Sequence, residues 1–172
     1  ERFLKGNLDD LRIYNRDLDG SEIAALTGFN PNQGLIAYYP FNGNANDESV
    51  NSNHGTVSGA TLTTDRNATA GRAYNFDGVD DSISVALGNA PLGDKPRTLS
   101  MWLKADPLDE ADKHAINWGT RATGQAFGIT RLAAGGDAAF YGHEADLDSN
   151  ASLDTRWHQV TVTYSGIAPP SR

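Results

Sequence analysis

Side-chain oxygens crowd one short stretch of the chain. In residues 42–53, "NGNANDESVNSN", Asn42, Asn44, Asn46, Asp47, Glu48, Ser49, Asn51 and Asn53 follow directly on the aromatic run Tyr38-Tyr39-Pro40-Phe41. Hard cations such as calcium take about six to eight oxygens from carboxylates, amides and carbonyls, and this loop offers donors of that class. "NGNAND" echoes the alternating donors of calcium loops but lacks the acidic count and distal glutamate of an EF-hand. The same residues also form Asx turns, in which the side-chain oxygen binds nearby backbone. A second acidic stretch, "FDGVDDS" (76–82), has the Asp77-Gly78 signature of a hairpin turn, so Asp80 and Asp81 are expected to be exposed. A third, "EADLDSNASLD" (144–154), spaces Asp146, Asp148 and Asn150 in a calcium-like rhythm, with Ala151 where a loop glycine would stand.

Other chemistries find little support. His54, His114, His143 and His158 are scattered, with no His-Glu-x-x-His spacing and no adjoining nucleophile motif. Cysteine is absent, which removes disulfides and thiolate metal sites. The formal charge of −8 and the lack of a basic stripe argue against nucleic-acid binding. No apolar run is long enough for a membrane-spanning helix. The chain opens at Glu1 without an initiator methionine, which leaves room for an export signal upstream.

The elements that must position these residues are mostly strands. The 172 residues suffice for one substantial core, and 18 glycines with abundant Asn, Asp and Ser suit many short strands and turns. Strands are predicted at 7–14, 35–41, 54–58, 72–78, 81–86, 97–105, 114–119, 125–132, 137–143 and 157–165. Leu99, Met101 and Leu103 share one face; Trp157, Val160, Val162 and Tyr164 need a bulge near His158 to do so. One short helix is predicted over about 19–27, started by the Asp19/Glu22 capping pair, with Ile23 and Leu26 as its apolar edge and Gly28 as its cap. Turn signals about every ten residues mark an all-β antiparallel sandwich.

Several blocks together resemble the laminin G-like modules of the concanavalin A-like jelly-roll superfamily, especially the bacterial extracellular branch related to pentraxins. They are "GLIAYYPFNGNANDES", "NHGTVSGA", "AYNFDGVDDSISV", "TLSMWLKA", "INWG", "AFYGHEADLDS", "RWHQVTVTYSG" and "GNLDDLRIYNRDLDGSEIAAL". The resemblance implies an antiparallel jelly-roll β-sandwich in a secreted or cell-surface protein. The order departs from that pattern: the closing strand and helix (1–28) precede a linker (29–34), the opening and central strands (35–168) and a tail (169–172). Either the chain spans two modules of a tandem array, or residues 1–28 dock onto the rest as a permuted or strand-exchanged module. An incomplete sandwich would expose strand edges and half a core, which favours docking. Leu11 and Ile13 should then be buried against residues 35–41.

The resemblance also implies a structural calcium where the opening loop meets the closing strand: Asp47, Asn51 or Asn53, and one of Asp9 and Asp10, which alternate to opposite faces of a regular strand. Sugars bind such modules at the rim, which singles out Trp118, Tyr141, His143, Asp146 and Asp148; Trp102 and Trp157 read as core. Glycosidases of the superfamily need Glu-x-Asp-x-x-Glu, and here Ser149 replaces the second glutamate after Glu144 and Asp146, so no catalysis is expected. His158 fits the family's Trp-His strand as a packing residue. What is implied is a non-catalytic module for a polysaccharide or glycan, or else a protein-binding adhesion or spacer module among neighbouring modules of a surface protein.

Overall fold

The computed structural model describes residues 4–24, 34–105, 112–120, 122, 126–131, 136–142 and 147–166. Its elements in chain order are β1 (Lys5–Tyr14), α1 (Gly20–Ala24), β2 (Leu35–Tyr39), β3 (Thr56–Ser58), β4 (Thr61–Thr63), β5 (Ala73–Asp77), β6 (Ser82–Ser84), β7 (Arg97–Ala105), β8 (Lys113–Gly119), β9 (Ala126–Arg131), β10 (Asp137–Tyr141), β11 (Leu147–Ser152) and β12 (His158–Tyr164). The fold is all-β and antiparallel. One sheet runs β12-β7-β1-β5-β4 with β2 also on β1, a second runs β11-β10-β9-β8, and β3 pairs with β6 in a two-stranded ribbon.

The first strand is central to the large sheet. β7 lies along one side of β1, while β5 takes Lys5–Leu8 and β2 takes Leu11–Tyr14 on the other. Leu11 and Ile13 are buried, opposite Tyr39 and Ala37, so the described part of residues 1–28 is docked against the 35–41 strand region as expected. Fully burying a side chain such as Leu8, Leu11 or Ile13 contributes about 1.5–3 kcal/mol each, which ties this segment to the sheet. A single apolar cluster joins the two larger sheets: Leu8, Ile13, Leu99, Met101 and Leu103 from one, Phe127, Ile129 and Ala138 from the other. The packing is sandwich-like.

α1 forms where its start signal predicts. The Glu22 amide donates to Asp19 Oδ1 at 2.8 Å and the Asp19 amide to Glu22 Oε2 at 3.0 Å, closing the capping box. Ile23 packs on Tyr14, Leu18 and Leu35. Leu26 and Gly28 lie outside the described residues.

Three expectations need correction. The bulge expected near His158 is absent from the β12–β7 pairing, which runs in unbroken register from His158 to Tyr164; Trp157 precedes the strand. A bulge falls instead on β1, where the register with β7 shifts between Asp9 and Arg12 and Asp10 takes φ 54°. "LDSNAS" is a strand, β11, because Leu147 and Asp148 pair with Phe140 and Ala139 and the Ser149 hydroxyl donates to the Ala138 carbonyl at 2.5 Å.

Candidate functional site

Within the asparagine-rich loop, Asp47 is the organising residue. It is buried, and its Oδ1 accepts the amides of Tyr38 and Ser49, both at 2.8 Å. Its Oδ2 accepts the Asn53 amide at 2.8 Å and the Ser49 hydroxyl at 2.9 Å. A carboxylate has about four lone-pair sites, and the protein's own donors occupy all of them. Burial pushes this carboxyl up, but the Tyr38, Ser49 and Asn53 amides outweigh it and hold the pKa below its ordinary value. Asn51 and Asn53 turn their amide nitrogens inward, Asn51 donating to the Leu35 and Ile36 carbonyls and Asn53 to that of Ile36. Asp47, Ser49, Asn51 and Asn53 thus tie the loop to the end of β2.

Asp9 and Asp10 meet a cation supplied by the chain itself. Because the β1 bulge breaks strict alternation, both carboxylates face one guanidinium, and the opposite-face expectation fails: Arg66 pairs with Asp9 at 2.5 Å and Asp10 at 3.1 Å. Arg66 also lies 5.0 Å over the Trp102 ring. Burial raises the Asp9 pKa to about 6 against the opposing pull of Arg66, with Asp10 adding to the rise. Nothing in the sequence spacing links Arg66 to Asp9, and this partner was not foreseen.

The expected sugar-contact residues are dispersed. Trp118 is half-buried; its Nε1 donates to the Pro91 carbonyl at 3.0 Å and its ring packs at 4.7 Å on Phe127. Tyr141 meets His114 edge-on at 4.6 Å. In register, Trp118 pairs with Phe127 while Tyr141 pairs with Gly128, so the two aromatic residues stand on opposite faces of the sheet. Asp148 lies on β11, where it accepts the Asn150 amide at 2.9 Å in an Asx turn, and Asn150 takes φ 53°. His143 and Asp146 lie outside the described residues.

Two further features emerge from the fold. Asp77, Asp80 and Asp81 each bring a carboxylate oxygen within 4.8 Å of the others, a group that could hold a metal ion. Asp81 was expected to be exposed but is buried at 8 % exposure, because its Oδ2 accepts the Asp77 amide and its Oδ1 abuts Gly59. Beside this group opens a cleft of about 800 Å³ between Ser82–Leu87 and His114–Thr120, floored by Leu8, Leu11, Ile13 and Phe41. Two side chains of β8 bridge it: Lys113 Nζ donates to the Gly78 carbonyl at 3.1 Å, and Trp118 donates to Pro91. Pro91 is fixed in turn by Arg97 Nη1 at 2.9 Å, whose guanidinium lies 4.7 Å over both the Phe127 and Tyr164 rings. A cleft between strands distant in sequence has no signature in local spacing. A smaller one, about 430 Å³, separates β11 from β12.

No protein-family model, curated protein or solved structure matches the chain. Among the described residues no helix is long and apolar enough to cross a membrane.

Proposed function

We propose that the chain is a non-catalytic binding module that holds a polypeptide in the cleft between β6 and β8. The observation that carries this is the cleft itself: about 800 Å³, with an apolar floor and a rim of Ser82, Ser84, Asn117 and Asp81. Apolar pockets with a few polar groups at the edge suit side chains flanked by backbone amides. Sugar stacking asks for an exposed ring, and among the described residues the exposed large apolar side chains are Val50, Val57, Leu62, Val79, Leu92 and Leu147, none aromatic. On this reading the sandwich-like pair of sheets is a laminin G-like jelly roll, and the protein is an adhesion or spacer module at a cell surface or in the extracellular space.

A second reading keeps a carbohydrate ligand with calcium. It is favoured by the Asp77, Asp80 and Asp81 group at the cleft mouth, close to Ser82, where an ion would be positioned to engage sugar hydroxyls. Selection from a synthetic peptide library, run against the wild type and the cleft-filling variant Ser84→Trp, separates the two. Enrichment that Ser84→Trp abolishes is expected, with its strand content unchanged by circular dichroism. Calcium-dependent signal on a glycan array, without peptide enrichment, would replace the first reading by the second. Release of reducing sugar from β-glucans would overturn both.

A further inference from the structure

We infer that Asn67 and Asn150 are acceptor sites for N-linked sugar, each presented on a turn at the margin of one of the two larger sheets. This goes beyond the cleft reading and shares with it only a placement outside the cell. Of the chain's asparagines, these two alone are followed by a residue other than proline and then by serine or threonine: Asn67-Ala68-Thr69 and Asn150-Ala151-Ser152. A motif so short carries weight only where the fold displays the asparagine at the surface.

The fold does this twice, with the same local device. Asp65 stands two residues before Asn67 and Asp148 two before Asn150, and in each pair the aspartate Oδ1 accepts the asparagine's backbone N–H at 2.9 Å. Such an Asx turn fixes the backbone and leaves the asparagine carboxamide out of it. Asp65 Oδ1 also accepts the Thr69 amide at 2.7 Å and Ala68 takes φ 63°, so Asn67 sits on a tight turn between β4 and β5. On β11, Ala151 faces Ala138 and Asp148 faces Ala139, which leaves Ser149 and Asn150 without a register partner on β10; Asn150 takes φ 53° in this bulge. Both asparagines are exposed, and among the described residues neither side-chain amide has a hydrogen-bond partner. Asn51 and Asn53, which lack the motif, spend their amides on backbone carbonyls.

The donor class is an oligosaccharide joined to a polyprenyl diphosphate, handled by a membrane oligosaccharyltransferase. The carboxamide nitrogen bonds to the sugar C1 as the C1–O bond to the diphosphate breaks. The diphosphate leaves with the electron pair, and the nitrogen's proton passes to a base of the transferase. Position gives the sugars a task. Among the described residues β4 ends the large sheet and β11 the second, and each carries an exposed leucine, Leu62 and Leu147. Apolar side chains on terminal strands invite self-association, and a bulky hydrophilic chain beside them opposes it. Neither asparagine lines the β6–β8 cleft, which stays open in the modified protein.

Incubating the folded protein with an N-linking oligosaccharyltransferase and its lipid-linked oligosaccharide tests the assignment by intact mass, an unrelated acceptor peptide confirming that the enzyme is active. Two glycan increments are expected on the wild type, one each on Asn67→Gln and Asn150→Gln, and none on the double variant. Thr69→Ala, which keeps Asn67 itself, should lose the same increment as Asn67→Gln, with circular dichroism unchanged throughout. Absence of transfer to the folded protein, or increments that persist in the double variant, would overturn the inference; transfer to one asparagine alone would overturn the other's assignment. At equal high concentration the modified protein should associate less by light scattering. Equal association would overturn the shielding role and leave the acceptor sites in place.

Discussion

Replacing Asp47 by alanine removes the acceptor for the Tyr38, Ser49 and Asn53 amides and for the Ser49 hydroxyl, and it does so at a buried position. A hydrogen bond to a charged group contributes about 1.5–3 kcal/mol net, but these share one carboxylate and water can enter the space left by the side chain. A loss of about 3–4 kcal/mol is therefore expected, toward the upper end for a single substitution. Asp47→Asn keeps an oxygen for Tyr38 and Ser49 but turns an amide toward the Asn53 N–H, at a cost of about 2 kcal/mol. The sign of the pH dependence follows from the lowered pKa of this carboxyl. Its contribution is complete above the unfolded value of about 3.9 and is lost as pH falls through the lower folded value. Urea unfolding followed by tryptophan fluorescence should show the alanine deficit in full at pH 7 and reduced near the acid limit of folding. It should be unchanged by calcium or by a chelator. A deficit under about 0.5 kcal/mol at pH 7 would refute the hydrogen-bond account, and a deficit that disappears in chelator would show that Asp47 acts through an ion.

Four other perturbations probe the frame around the cleft. Asp9 has a raised pKa of about 6, so the folded state binds more protons than the unfolded between about pH 4 and 6, and this group's contribution falls as pH rises through that window. Asp9→Asn should flatten the slope of melting temperature against pH there; an unaltered slope would exclude Asp9 as its source. Gly59→Ala places a Cβ 2.0 Å from Asp81 Oδ1 at φ +76°, and a stability loss of about 2 kcal/mol or more is expected by chemical denaturation. Trp118→Phe keeps an aromatic ring on Phe127 but deletes the donor to Pro91, so it should cost about 1 kcal/mol while raising amide exchange in residues 88–93. Arg97→Lys forfeits the forked donation to Pro91 and Gly93 and the stacking on two rings, and should lower the melting temperature more than Arg72→Lys at the surface.

Local patterns in the sequence found most of the strands because alternation and turn residues act over a few positions. Leu99, Met101 and Leu103 were expected on one face and are all fully buried. The Asp19/Glu22 box and the burial of Leu11 and Ile13 followed the same logic. β4 is three residues long and offers too little pattern to be recognised. β11 looked like a loop because Asp148, Ser149 and Asn150 are poor strand formers; the Ser149 bond to Ala138 and pairing with β10 outweigh that preference. Site chemistry was harder to read, since it depends on which partner occupies an oxygen. Composition alone leaves Asp47 open as a metal ligand, whereas the folded loop fills its lone pairs with N–H and O–H donors. The Arg66 pairing with Asp9 and Asp10 depends on a bulge that no residue type announces. The β6–β8 cleft joins segments about thirty residues apart in the chain and is visible only once they are folded.

The central claim is that the working surface is the β6–β8 cleft rather than the oxygen-rich loops. Residue-resolved amide NMR of the protein, titrated with a peptide enriched in the library selection, tests it most directly. Shifts and slowed exchange should concentrate in residues 82–87 and 114–120. Perturbations confined to residues 42–53 or 147–156, with the cleft amides unmoved at saturation, would contradict it.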